Sequence, residues 1–180
     1  MKTNPSFQTH LQALDEKGYV IHVHREINKD TELHPLVRWQ LRGGIPESDR
    51  KAFVFHNVVD SKGRKYDLPV VVGALSINRE VYSIGMGVPV DQIGKKWQQA
   101  RLNPIAPVVV EDAACQEVSF IGDDLDVDGQ GLEHLPIPIS TPGFDNAPYT
   151  TCSQYISVDP ESGVQNMGTY RAALKAARPS

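Results

Sequence analysis

Two strand-like runs on either side of a short polar turn constrain the fold more than any other part of this sequence. The first run extends from Tyr149 to Val158 and the second from Gln165 to Lys175, with the segment Asp159-Pro160-Glu161-Ser162-Gly163 between them. Aspartate, proline, serine and glycine favour turns, whereas the flanking runs have the composition of strands. The pattern therefore predicts two consecutive strands joined by a turn.

The second of these strands carries the residues best suited to chemistry. Side chains alternate faces along a strand, so Asn166 and Arg171 cannot share a face of a regular strand. A ligand that touches both must follow the backbone or meet a bulge, and Gly168 permits either. The Asn166 amide oxygen suits Mg²⁺, Mn²⁺ or K⁺, and the Arg171 guanidinium suits a carboxylate. From the residues alone, an ordinary strand with a surface arginine remains the favoured interpretation.

Helices and strands alternate over residues 7–102. The predicted elements are a helix capped by Ser6 and ended by Gly18, a strand Tyr19–Arg25, a helix that begins at Asp30 or Thr31 and ends at Gly43-Gly44, a strand Ala52–Val59, a strand Leu68–Leu75 buried on both faces, and helices Asn78–Met86 and Val90–Leu102. Trp39 is interpreted as a packing residue of the second helix. This alternation predicts an α/β or α+β layer structure.

The pattern changes after Asn103-Pro104, where proline becomes more frequent. Short strands are predicted at Pro107–Val110 and Cys115–Gly122, and consecutive short strands without helices indicate a β domain that begins near residue 110. We therefore predict an α+β protein with an N-terminal α/β domain at 1–108 and a second domain at 109–180.

Composition excludes several classes of function. A net charge of −4 and a pI near 5.8 argue against a nucleic-acid-binding protein. No apolar run reaches the roughly 20 residues that a membrane span needs, and the N-terminus lacks the apolar core of a secretory signal, so we expect a cytoplasmic protein outside the membrane.

Three sets of potential metal or redox ligands are interpreted as structural features. Cys115 and Cys152 are interpreted as two buried thiols rather than a disulfide. His22 and His24 share a strand face at a spacing typical of metal ligands, but without an evident third ligand a solvated surface is favoured. The acidic residues from Asp123 to Asp128 lack the spacing of a calcium loop, which favours a solvated turn.

Several ordered stretches of the chain together resemble one enzyme family. The stretches are FQTHLQALDEKGYVIHVHREINKDTEL, FVFHNV, PVVVGALSINREVYSIGMG, PIAPVVVEDAACQEVSFIGDDLDV and LPIPISTPGFDNAPYTTCSQYISVDPESGVQNMGTYR. The most specific parts are Cys115-Gln116-Glu117, Thr141-Pro142-Gly143 and the run from Asn166 to Arg171. With these parts the chain is similar to the N-terminal portion of the UbiD-like decarboxylases that use prenylated flavin.

The resemblance implies a reversible, non-oxidative decarboxylation of a small aromatic or α,β-unsaturated carboxylic acid, with CO₂ as the other product. It implies prenylated FMN as cofactor, held through Mn²⁺ (or Mg²⁺) and K⁺ and supplied by a flavin prenyltransferase. Asn166 would be a metal ligand and a cofactor contact, Gly168, Thr169 and Tyr170 would flank the flavin, and Arg171 would contact the cofactor and be the catalytic arginine. The second domain would be the start of a flavin-binding split β-barrel.

The chain also departs from this family. Full-length members are far longer, and no residue here matches the remaining metal ligands (a His and a Glu) or the two catalytic glutamates. Three explanations of the short length are considered: a truncated chain, a split enzyme whose second chain supplies the rest, and a short paralogue. As partner we expect either further copies of the chain, in a homo-oligomer, or a complementing C-terminal chain. A non-catalytic assembly or scaffold subunit of the same fold is the alternative. A reductase-type flavin-binding split barrel is weaker, because it leaves the helices and strands of residues 7–102 unexplained.

Overall fold

Helices and strands are mixed along the chain, as the sequence predicts. The structure is a computed structural model that describes residues 6–127 and 130–175. The helices are α1 (Phe7–Glu16), α2 (Leu33–Arg42), α3 (Arg79–Met86) and α4 (Ile93–Leu102). The strands are β1 (Val20–Asn28), β2 (Ala52–Val59), β3 (Lys65–Tyr66), β4 (Val70–Val72), β5 (Tyr149–Val158) and β6 (Gln165–Ala173). The α+β class is confirmed.

Local side-chain chemistry sets the ends of the helices. The Ser6 hydroxyl accepts a hydrogen bond from the Thr9 amide at 3.2 Å, and the Thr9 hydroxyl accepts one from the Ser6 amide at 3.0 Å. This reciprocal capping begins α1 as predicted. The Asn78 side chain caps α3 by accepting a hydrogen bond from the Val81 amide at 3.0 Å. Each described helix is too short or too polar to span a bilayer.

Strand β2 is the centre of a four-stranded sheet. The path runs β1–β2–β3, and β4 pairs with β2 in antiparallel register at Phe53↔Val72 and Phe55↔Val70. The prediction of a long central strand over Leu68–Leu75 is wrong, because β4 has three residues and Leu75 is 50% exposed. Gly73 has φ 88°, a left-handed conformation that ends the strand.

The described residues divide into two compact units. The first comprises residues up to Glu26, Leu36–Asn57 and Pro69–Ser119, and the second comprises Ile27–Pro35, Val58–Leu68 and residues from Phe120 onward. Apolar side chains fill the first unit, with buried Leu14, Val37, Ala52, Phe53, Val54, Phe55, Ala74, Ile77 and Val81. In the second unit the buried apolar residues are Ile27, Leu33, Val58 and Ile137.

Trp39 does not pack in this core. It lies on α2 with 64% of its surface exposed, so its interpretation as a packing residue is wrong. The stripe of α2 that faces inward is formed by Leu33, Val37 and Gln40, all of them buried. At 3.6 residues per turn, Trp39 lies about 100° or more around the helix axis from each of these three residues and therefore points away from them.

The strands predicted at Pro107–Val110 and Cys115–Gly122 are absent from the described part of the chain. Residues 104–110 have no regular structure, and Val109 is 95% exposed. Short 3₁₀ turns follow at Ala114–Gln116, Gly122–Asp126 and Leu132–His134. Strand-like composition forms a strand when another strand satisfies its backbone groups, and none of the described residues pairs with this segment. Asp128 of the acidic stretch lies outside the described residues.

Candidate functional site

Strands β5 and β6 form an antiparallel hairpin whose turn is closed by one aspartate. The Asp159 amide donates to the Val164 carbonyl at 3.0 Å, and the Gly163 amide donates to the Asp159 carbonyl at 2.9 Å. The Asp159 carboxylate accepts hydrogen bonds from the Ser162 hydroxyl at 2.5 Å and the Glu161 amide at 3.0 Å. The Ser162 bond is the main cause of a lowered pKa for Asp159. The predicted pair of strands is confirmed, and this turn fixes its register.

A bulge interrupts the hairpin opposite Arg171. Regular pairing extends to Ser153↔Tyr170 and resumes, displaced by one residue, at Thr150↔Ala172. Two residues of β5 therefore lie opposite the single residue Arg171 of β6, which is the arrangement of a β-bulge. The sequence indicates Gly168 as a site that would permit a bulge. The observed bulge lies instead on the partner strand, and β6 keeps its alternation through Gly168.

The five candidate residues divide between the two faces of β6. Because the strand is regular from Gln165 to Ala173, Asn166, Gly168 and Tyr170 lie on one face and Thr169 and Arg171 on the other. The first is here called the amide face and the second the arginine face. The prediction that Asn166 and Arg171 cannot share a face is confirmed, so the structure does not bring these two side chains together.

On the amide face, the Tyr170 ring lies over Gly168. A methyl group built on Gly168 would lie 2.3 Å from Tyr170 Cε2 and 3.0 Å from its hydroxyl oxygen. The Tyr155 ring, on the strand opposite, meets the Tyr170 ring edge-on with 6.0 Å between centroids. Glycine at 168 therefore leaves the room that lets this aromatic ring lie flat along the strand.

On the arginine face, two cross-strand contacts surround the candidate catalytic residue. The Arg171 guanidinium carbon lies 5.1 Å from the centre of the Tyr149 ring, within the range of a cation–π interaction. The Thr169 hydroxyl and the Gln154 amide are hydrogen-bonded at 3.0 Å. Arg171, Thr169 and Gln154 are exposed and Tyr149 is partly buried, so this face offers a permanent positive charge to a ligand in solvent.

The residues of this hairpin do not form a complete metal site by themselves. Across residues 6–127 and 130–175, no three His, Cys, Asp or Glu side chains converge as metal ligands. Asn166 is exposed on the amide face, where its oxygen is accessible to a cation. Cys152 lies in the bulge, and both it and Cys115 are free and exposed, so the prediction of buried thiols is wrong.

A histidine cluster on β1 and β2 includes one member that the sequence analysis missed. His22 Nδ1 lies 2.9 Å from His56 Nε2, and the rings of His24 and His56 are stacked with 4.4 Å between centroids. His22 Nε2 also lies 3.3 Å from an Asp15 carboxylate oxygen. Desolvation first, and then the neighbouring His24 and His22, lower the pKa of His56. The alternation of β2 against β1 is the signal that could have placed His56 beside the other two.

A family model and solved structures match the chain. Residues 107–178 match the model described as UbiD: 3-octaprenyl-4-hydroxybenzoate carboxy-lyase Rift-related domain. The UbiD-class enzyme HmfF from Pelotomaculum thermopropionicum, solved in complex with FMN, is 30% identical with a TM-score of 0.72. That match covers 91% of this chain and 33% of the HmfF chain. An evolved dimeric form of HmfF in complex with prFMN is 26% identical with a TM-score of 0.70, over 93% of this chain and 35% of that one.

A more distant structure shows the same fold. The closed form of vanillic acid decarboxylase from Sedimentibacter hydroxybenzoicus has a TM-score of 0.77 at 22% identity, over 98% of this chain and 36% of that chain. The chain thus spans about a third of the length of the solved proteins that it matches. The quoted motifs, the family model over residues 107–178 and the HmfF matches agree, and together they support a UbiD-like family member, N-terminal portion.

Proposed function

We propose that this chain forms one wall of the active site of a decarboxylase that uses prenylated FMN and acts reversibly on small aromatic or α,β-unsaturated carboxylic acids. The observation that carries the proposal is strand β6, which presents an amide ligand on one face and an arginine on the other. The HmfF structures, which hold FMN and prFMN, support a flavin cofactor for this chain as well.

The side chains of β6 fit such a cofactor and its ions. Asn166 is exposed, and its neutral amide oxygen is a suitable ligand for Mn²⁺ or Mg²⁺ beside the cofactor phosphate, with K⁺ nearby. The flat Tyr170 ring over Gly168 offers an aromatic surface to a flavin, and the Thr169 hydroxyl is a hydrogen-bonding group on the other face. We assign Asn166, Gly168, Thr169, Tyr170 and Arg171 to cofactor binding on these grounds.

Arg171 carries the catalytic role in this proposal. Its guanidinium is permanently charged and can bind both oxygens of a carboxylate, which orients the substrate acid. A positive charge also stabilises the ionised form of a nearby carboxyl group, such as a glutamate that later donates a proton to the product. Prenylated FMN supplies an electron sink for the electrons left when CO₂ departs.

The proposed domain boundaries, cofactor supply and association belong to the same proposal. We propose that residues 109–180 begin a split β-barrel after an N-terminal domain at 1–108, and the match to a Rift-related domain from residue 107 supports that boundary. A flavin prenyltransferase would supply the cofactor in the cytoplasm. The evolved dimeric HmfF supports association with further copies or with a complementing chain.

The test is a comparison of variants in the complete protein that carries this chain, produced together with a flavin prenyltransferase. Arg171→Ala should abolish CO₂ release from 4-hydroxybenzoate or cinnamate while the protein stays folded. Asn166→Ala should lower the metal and flavin retained through purification. Wild-type turnover by Arg171→Ala would refute the catalytic assignment, and a wild-type protein that binds no flavin would favour a non-catalytic scaffold.

A further inference from the structure

We propose that Tyr149 is the residue that positions Arg171 and that the bulge in β5 exists to place it there. The inference rests on the proposed catalytic role of Arg171. The two residues belong to different strands and lie on the arginine face, with the guanidinium 5.1 Å from the Tyr149 ring centre.

The bulge determines which face Tyr149 occupies. Below it, Tyr155 pairs with Gly168 and so lies on the amide face. Without an extra residue, strict alternation would place Tyr149 on that same face, because 155 and 149 differ by an even number. The extra residue between Thr150 and Ser153 reverses the alternation, and Tyr149 pairs with Ala173 on the arginine face. A one-residue shift of this kind moves every following side chain to the opposite face.

The pairing places Tyr149 at the right distance for this contact. Its direct partner is Ala173, whose small side chain does not block the Tyr149 ring from the diagonal neighbour. That diagonal neighbour is Arg171. Diagonal neighbours across an antiparallel pair are within reach of aromatic and long side chains. The bulge also places two residues, Thr151 and Cys152, opposite Arg171 itself, and bulges often redirect a side chain near a functional site.

Arg171 needs such a partner because, among the described residues, no hydrogen bond or ion pair holds its side chain. Its side chain is exposed, and a free arginine loses rotamer freedom when it binds an anion. The ring face of Tyr149 attracts the cation without neutralising it, unlike a carboxylate, so the guanidinium keeps its hydrogen-bond donors for a ligand. Tyr149 therefore orients the charge and leaves it available to a substrate carboxylate.

The kinetic test compares Tyr149→Leu with Tyr149→Phe in the complete, flavin-loaded protein, with 4-hydroxybenzoate and cinnamate as substrates. Tyr149→Leu should lower kcat by about two- to five-fold, the range expected for loss of a cation–π contact at an exposed site, with a smaller change in KM. Tyr149→Phe keeps the ring and should retain most of the activity. Tyr82→Leu, which removes a 45%-exposed tyrosine from α3, should behave as wild type.

A second measurement reads the contact without activity. Phenylglyoxal modifies accessible arginines, and peptide mass spectrometry follows each site separately. Modification of Arg171 should be faster in Tyr149→Leu than in wild type or Tyr149→Phe, while Arg79, in its ion pair with Glu47, serves as an unchanged internal reference. An unchanged Arg171 rate in Tyr149→Leu would overturn the inference.

The two measurements separate this inference from the proposed function. If Arg171→Ala is inactive but Tyr149→Leu retains the wild-type kcat, the positioning role is refuted and the decarboxylase proposal stands. Equal losses in Tyr149→Leu and Tyr149→Phe would also refute it, because they would assign the effect to the hydroxyl group. If wild type releases no CO₂ from either acid, the proposed function fails, and the phenylglyoxal rates still decide whether Tyr149 holds Arg171.

Discussion

Acid should destabilise this protein through the histidine cluster, and His56→Gln should remove most of that sensitivity. The pKa of His56 is lowered in the folded protein, so the folded state binds fewer protons than the unfolded state near the ordinary histidine pKa. Unfolding is then favoured by protons, and the stabilisation is present above pH ~6.5 and is lost as the pH falls through the folded pKa.

Desolvation is the largest cause of the lowered pKa of His56, and the ring separations set the size of the electrostatic part of the effect. The three centroid distances are 4.4 Å, 5.2 Å and 6.3 Å for His24–His56, His22–His56 and His22–His24. Three unit charges at these separations repel by about 2 kcal/mol in total at the dielectric constant of water. Salt near 0.1 M reduces this to about 1 kcal/mol, and Asp15 beside His22 offsets a further part. His56 takes part in the two shorter contacts, so its removal should leave roughly a third of the repulsion.

The assay is urea unfolding followed by circular dichroism at several pH values between about 5 and 8. Wild type should lose about 1 kcal/mol of unfolding free energy over that range, and His56→Gln should lose markedly less. His134→Gln, which removes an exposed histidine from the other unit, is the matched control and should follow wild type. A His56→Gln variant with the wild-type pH dependence would refute the electrostatic explanation.

Three further predictions follow from buried or crowded side chains. Phe55 is fully buried in β2, so Phe55→Ala should lower the free energy of unfolding by about 3–5 kcal/mol. Urea unfolding measures this loss, and Phe144→Ala, at an exposed phenylalanine, is the control. Burial first, and then Asp60, raise the pKa of Tyr66 to about 12, so the free energy of unfolding should fall as the pH rises from 10 towards 12. Tyr66→Phe should show a smaller fall when unfolding is measured over the same pH range. Gly168→Ala should displace the exposed Tyr170 ring at a cost below about 1 kcal/mol, yet lower the flavin retained by the complete protein; unchanged flavin absorbance would count against the Tyr170 surface as a cofactor contact.

Local signals predicted the ends of several elements well. The Ser6 cap, the bounds of β2 and the Asn78 start of α3 depend on neighbouring residues, and the structure confirms each of them. The failures depend on partners far away in the sequence. Val108 and Val109 have strand composition but no strand beside them among the described residues, and Gly73 stops β4 through a backbone conformation that composition does not reveal. Propensity describes what a segment can form, and pairing decides what it does form.

In the candidate site, too, contacts between distant parts of the sequence could not be predicted from local signals. Alternation correctly separated Asn166 from Arg171, because that inference used one strand. It could not find Tyr149 beside Arg171, because that contact depends on a bulge in the other strand. The bulge leaves no clear mark in a sequence whose residues there, Thr151 and Cys152, are ordinary strand formers.

The separation of the two faces also restricts how any ligand can use β6. Asn166 and Arg171 are five residues apart, which at a rise of about 3.3 Å per residue places their Cα atoms roughly 16 Å apart along the strand. A compact ion or acid cannot contact both, whereas an extended cofactor with a charged end and a planar ring system can. Such a ligand has to pass from the amide face to the arginine face between them, and on the amide face it meets the Tyr170 ring, which lies over Gly168. Under the proposed function, the cofactor would meet Asn166 with its phosphate end and Arg171 with its reacting end, because the reverse order would place the permanent cation away from the substrate carboxylate.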